Sequence, residues 1–116
     1  MDVREIAEDF AELCASGRAE EAAEKYWADD IATYEAMPGE YAETHGREET
    51  LAKAAWWFEN HEVHEMEVEG PWVNGNQFML WWEIEVTPKG GERMEMEEAV
   101  LYTVNGGKIV EERYFY

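Results

Sequence analysis

The chain has 116 residues, with 9 lysines and arginines against 28 aspartates and glutamates, and a net charge of −19 at pH 7. At 46% hydrophobic and 14% aromatic residues it has enough apolar area to close a core, which excludes a disordered chain, and its length fits one domain over residues 1–116. So acidic a chain repels phosphate backbones and anionic bilayers, so nucleic acid and membranes are excluded as partners while cationic ones stay open.

The amino end, Met1-Asp2-Val3-Arg4-Glu5-Ile6-Ala7-Glu8-Asp9-Phe10, places acids where a signal peptide would be apolar. No stretch nears the roughly 20 apolar residues of a membrane span, and a cytoplasmic protein is expected. Val3, Ile6, Phe10, Leu13 and Cys14 recur at helical spacing behind a capping-box pair, Asp2 and Glu5. They predict a first helix to about Ser16, stopped by Gly17. Cys14, the lone cysteine, falls on that stripe as a small buried hydrophobe rather than a nucleophile, and no intramolecular disulfide can form. Ala19, Ala22, Ala23, Tyr26 and Trp27 mark one face of a second helix that ends near Asp29-Asp30 and packs on the first. Ile31 to Met37 reads as a short strand, broken by Pro38-Gly39. A third helix runs from Arg47 to Phe58, with Leu51, Ala54, Ala55 and Phe58 on its buried side and Glu49 paired with Lys53.

After Asn60 the hydrophobic period changes from 3.6 residues to two. His64, Met66 and Val68 alternate with glutamates up to Gly70-Pro71, and Asn74-Gly75 signals a hairpin. Phe78, Leu80, Trp82, Ile84 and Val86 line one face of a long strand that turns at Pro88-Lys89-Gly90-Gly91. Met94, Met96, Glu98, Val100, Tyr102 and Val104 line the next, and after Asn105-Gly106-Gly107 the last strand covers Lys108 to Tyr116. Three helices followed by a long antiparallel meander make an α+β protein.

Three features in this order carry a resemblance: Tyr26-Trp27-Ala28-Asp29-Asp30 ending the second helix, His45-Gly46-Arg47-Glu48-Glu49 opening the third, and Asn105-Gly106-Gly107-Lys108-Ile109-Val110-Glu111-Glu112 at the last hairpin. Over nearly its whole length the chain resembles the SnoaL-like branch of the nuclear transport factor 2-like superfamily, which also includes the ketosteroid isomerases. The resemblance implies a cone-shaped α+β barrel. Three N-terminal helices pack on a curved, mostly antiparallel sheet, and a pocket lies between the concave face and the helices. It also implies a homodimer through the outer sheet face, which here carries Met79 and Trp81 beside Glu83, Glu85, Glu95 and Glu97. The superfamily hosts isomerases, cyclases, hydrolases, dehydratases and proteins that only bind or assemble, so function rests on the pocket.

In ketosteroid isomerases the polar set is a tyrosine in the first helix, an aspartate ending the first strand and an aspartate in the penultimate strand. Alignment on the shared motifs puts Phe10, Ala36 and Val100 at those positions, which argues against that mechanism. The Asp-Arg-Asp set of limonene epoxide hydrolases also finds no match, since Arg4, Arg18, Arg47, Arg93 and Arg113 fall on outward positions.

A different set points inward. If Val100, Tyr102 and Val104 face the cone, so does Glu98, because strand side chains alternate. Reading Asn105-Gly106-Gly107 as a three-residue loop with a bulge sets Val100 opposite Glu112 and Glu98 opposite Tyr114, so that Glu112, Tyr114 and Tyr116 also face in. Glu112 or Glu98 is then the candidate general base in an aromatic-walled pocket, with His64 or a tyrosine donating to a developing oxyanion. Tyr34, Trp57, Trp82, Val100, Tyr102, Tyr114 and Tyr116 are the candidate ligand contacts, with His45 near the mouth. No metal or cofactor is expected: the histidines of His61-Glu62-Val63-His64-Glu65 are three apart at a helix-to-strand junction, and no helix follows either glycine pair. The sequence thus points to a protein that binds an apolar or cationic small molecule, with isomerase, cyclase or dehydratase chemistry as the catalytic reading. A non-catalytic ligand-binding or dimerisation module is the other.

Overall fold

The computed structural model describes residues 1–116. In chain order the elements are α1 (Val3–Ala15), α2 (Ala19–Tyr26), β1 (Trp27–Tyr34), β2 (Glu43–His45), α3 (Arg47–Asn60), β3 (His61–Asn74), β4 (Gln77–Pro88), β5 (Met94–Asn105) and β6 (Lys108–Phe115). The six strands form one sheet in the order β2-β1-β6-β5-β4-β3. Every pairing is antiparallel except β1 with β6, so the α+β reading holds and the sheet is mixed.

The capping box forms as predicted: Asp2 accepts from the Glu5 N–H, and Glu5 accepts from the Asp2 N–H. Gly17, at φ +75°, lets the Arg18 N–H reach back to Leu13 at 2.8 Å and closes the helix. The buried stripe of α1 then packs on β3 and β4, with the Phe10 ring edge-on to Tyr26, Phe78 and Tyr102. Phe78 and Tyr102 stack on one another at 4.7 Å, tying β4 to β5.

Five expectations need correction. The second helix ends at Tyr26, not near Asp29-Asp30, because Trp27 adopts extended backbone and pairs with Ile109. Parallel pairing with β6 draws Trp27 into sheet structure, and a register shift between Trp27 and Ala32 absorbs the two aspartates. The first strand accordingly begins at Trp27 rather than Ile31, and a short β2 that the sequence pattern did not reveal pairs with its far end.

The third helix turns a different face inward. Leu51 and Phe58 are 42% and 52% exposed, and Ala55 is exposed as well, whereas Thr50 is buried and Lys53, Ala54 and Trp57 face the sheet. Polar contacts decide this rotation. The Thr50 hydroxyl joins a buried chain with Thr44 and Thr33, and Lys53 pairs with Glu35 rather than with Glu49. Glu49 instead accepts from the His45 backbone N–H.

His64 is an extra residue in β3: Val63 pairs with Val86 and Glu65 with Glu85, so a bulge lies between them. The bulge puts Val63, not His64, on the core face with Met66 and Val68. Finally, the last hairpin turns on Gly106-Gly107 alone, both at positive φ, with a bulge between Thr103 and Val104. Tyr102 therefore opposes Glu112 and Val100 opposes Tyr114, two residues from the expected register. A shift of two preserves the face, so every inward residue stays inward.

Candidate functional site

Between α3 and the inner sheet face lies a cavity of about 450 Å³, the size of a small-molecule site. Trp57, Trp82, Tyr102, Tyr114 and Tyr116 line it, as do Glu98 and Glu112. Seven of the ten predicted site residues are thus brought together. The other three are not. Val100 is fully buried in the core beneath the cavity. Tyr34 lies on the opposite face, its ring covered by the Arg113 guanidinium at 4.3 Å with the His45 ring edge-on to it. His64 is carried out by its bulge and bonds Thr87 Oγ1 through Nε2 at 2.7 Å. His45 pairs with Glu43 and does not line the cavity.

Glu112 is only 3% exposed and accepts two charge-assisted hydrogen bonds, from Trp27 Nε1 at 2.8 Å and the Tyr114 hydroxyl at 2.6 Å. Burial raises its pKa, and these two donors pull part of that back. Its Tyr114 partner is held well above the usual phenol value, first by burial and then by the Glu112 charge.

The sequence reading missed two residues of the site. Lys53, from α3, pairs with Glu35 just past the end of β1, donates to Thr33 Oγ1 at 3.0 Å and lies 4.4 Å from the centroid of the Tyr114 ring. Glu35 also accepts from the Tyr116 hydroxyl at 2.9 Å, and burial with this bond raises Tyr116 to about 12. The signal for Glu35 was present: Ile31 and Thr33 are buried, and alternation carries their face on to Glu35, one residue before the Ala36 that the isomerase alignment selected.

Glu98 differs from the other carboxyls. It faces the cavity from β5 with no hydrogen-bond donor, and burial together with the charges of Glu35 and Glu112 raises its pKa to about 7, against a lowering pull from Lys53. Such a group gives and takes a proton near neutral pH. Four residues on along the same face, Tyr102 accepts a hydrogen bond from Trp82 Nε1 at 3.2 Å. The Tyr102 hydroxyl keeps its own proton for another acceptor. Cys14, behind the cavity, is buried with its thiol pushed up to about 12, which leaves it inert.

A family model described as a SnoaL-like domain matches residues 1–116. The chain belongs to the SnoaL-like family. A Mesorhizobium loti protein, described as a proposed SnoaL-like polyketide cyclase with carbohydrate phosphatase given in brackets, is 57% identical over the full length of both chains, with a TM-score of 0.98. A nuclear transport factor 2-like protein of Burkholderia pseudomallei is 14% identical over 100% of this chain and 92% of its own, at a TM-score of 0.77. A Catenulispora acidiphila protein with a ketosteroid isomerase-like fold, solved in complex with trimethylamine, is 19% identical over 97% of this chain and 85% of its own, at a TM-score of 0.76. The last two likenesses show the fold alone. No curated protein matches the chain. The SnoaL-like fold explains the layout of the site: α3 closes the open side of the sheet, and β1, β5 and β6 aim alternate side chains at the space between.

Proposed function

We propose that the cavity binds an apolar or cationic small molecule and that Glu98 exchanges a proton with it, as isomerisation, cyclisation or dehydration would require. The observation that carries this reading is a carboxyl without a donor facing an aromatic-walled space, where burial and neighbouring carboxyls raise its pKa to about 7. In this reading Glu98 accepts a proton from carbon while the Tyr102 hydroxyl donates a hydrogen bond to the oxygen on which charge develops. Glu112 and Glu35 already hold donors of their own and act as positioning groups for Tyr114, Trp27, Lys53 and Tyr116. The trimethylamine complex of the Catenulispora relative and the cyclase description of the Mesorhizobium relative both support a small-molecule role.

The test is a thermal-shift screen of lipophilic and cationic metabolites against the wild type, Glu98→Gln and Glu112→Gln. Compounds that raise the wild-type midpoint and are turned over by the wild type, but not by Glu98→Gln even at saturating concentration, support catalysis. Binding without chemical change of any hit supports the purely binding reading, and no hit at all contradicts both.

We further propose that the outer sheet face dimerises. The rows Trp72, Met79, Leu101 and Trp81, Ala99, Phe115 lie side by side across β3 to β6, and both Trp72 and Phe115 are exposed. Sedimentation at twice 13.5 kDa, halved by Trp72→Glu with Phe115→Glu, is the expected result. A wild type that sediments as a monomer at high micromolar concentration contradicts it.

A further inference from the structure

The charges and donors of the cavity select among its ligands. Four carboxyls line it, Glu35, Glu40, Glu98 and Glu112, and Lys53 is the single lysine or arginine among the lining residues. That lysine is already held by Glu35 and Thr33. The Trp27 indole N–H and the Tyr114 hydroxyl are held by Glu112, and the Tyr116 hydroxyl by Glu35. An anionic ligand would therefore enter a field of its own sign and find these donors occupied. What remains is the proton of the Tyr102 hydroxyl, a single neutral donor, and an acceptor on Glu98, in a space also lined by Trp57 and Trp82.

Aromatic faces with a nearby carboxylate attract a positive nitrogen through the ring quadrupole and through charge together. The cavity already shows this arrangement once, in Lys53 lying over the Tyr114 ring beside Glu35. The net charge of −19 on the chain draws cations toward the mouth and repels anions. We infer that the ligand is an organic cation, an alkylammonium compound whose apolar body lies among the aromatic walls and whose positive nitrogen lies in the field of Glu98 and Glu112. This inference rests on the small-molecule reading of the cavity above and narrows its ligand to one chemical class.

The test uses the intact protein and two probes of one shape. Benzyltrimethylammonium and its uncharged carbon isostere, neopentylbenzene, are titrated at slightly alkaline pH while the fluorescence of the lining tryptophans is followed. The cation binds about tenfold more tightly than the isostere, the scale of one desolvated cation–π contact reinforced by charge. Glu98→Gln removes that preference and leaves the isostere's affinity unchanged. Equal or tighter binding of the isostere by the wild type overturns the inference and leaves the cavity reading standing. If neither probe changes the fluorescence, the cavity reading falls with it. The wild-type comparison decides the matter even if the variant folds poorly.

Discussion

Replacing Glu98 with glutamine should stabilise the protein above neutral pH and change little in acid. A carboxyl whose pKa is higher in the folded state than in the unfolded chain binds its proton more tightly when folded, so stability falls as pH rises between the two values. For Glu98 these are about 7 folded and 4.5 unfolded. At about 1.4 kcal/mol per unit, the wild type loses about 3 kcal/mol through this group across that window. Glutamine keeps the shape and has no proton to lose. The stability difference between variant and wild type should therefore grow from near zero at about pH 4.5 to about 3 kcal/mol above pH 7, and then level off. In a domain of this size that corresponds to a midpoint difference on the order of 10 °C. Urea denaturation of both proteins across this range measures it, and other carboxyls largely cancel in the difference. A difference that stays flat with pH, or one in which the variant is less stable in alkali, refutes the placement of Glu98 in a desolvated, negatively charged cavity.

Glu112→Ala leaves the Trp27 indole and the Tyr114 hydroxyl without their acceptor in a buried site, and should cost about 3 kcal/mol or more in chemical denaturation. Full stability of that variant would show that the network contributes nothing. Lys53→Met strands Glu35 and should cost about 2–3 kcal/mol, somewhat below a fully buried pair. Adding Glu35→Gln to it should recover most of the loss, and a double-mutant cycle without coupling would contradict the ion pair. Across the outer face, Glu67, Glu83 and Glu97 oppose one another, as do Glu65, Glu85 and Glu95, with Arg93 bound to Glu85 alone. Like charges in register repel, so added sodium chloride should raise the thermal midpoint, and a midpoint that falls with salt contradicts that reading.

The sheet was legible because its signal is dense. Phe78 through Val86 and Met96 through Val104 alternate without interruption, and that alternation alone placed Glu98, Tyr102 and Trp82 in the cavity. It even survived an error of register at the last hairpin, because a shift of two residues leaves each side chain on its face. What failed was governed by tertiary contact. The bulge at His64 has no marker in composition, and it reversed the one histidine given a catalytic role. Tyr34 fell to the same rule that placed Glu35: in a strand, neighbours point to opposite faces. On α3 the apolar pattern of Leu51, Ala55 and Phe58 suggested the wrong face, since the buried threonine chain and the pairing of Lys53 with Glu35 fix the rotation of that helix. A lysine turned inward is expensive unless paired, and its partner lies 18 residues away in sequence, out of reach of any local pattern.

Carbon NMR of the glutamate side-chain carboxyls, with the Glu98 resonance identified by its loss in Glu98→Gln, reads the protonation of that one group directly. A midpoint within a unit of pH 7, moving downward when benzyltrimethylammonium is added, is the result expected of an unpaired acid in an aromatic cavity built to hold a cation. A midpoint near 4.5, unmoved by the cation, would mean that Glu98 stands in bulk water and that the cavity holds no proton-transferring group.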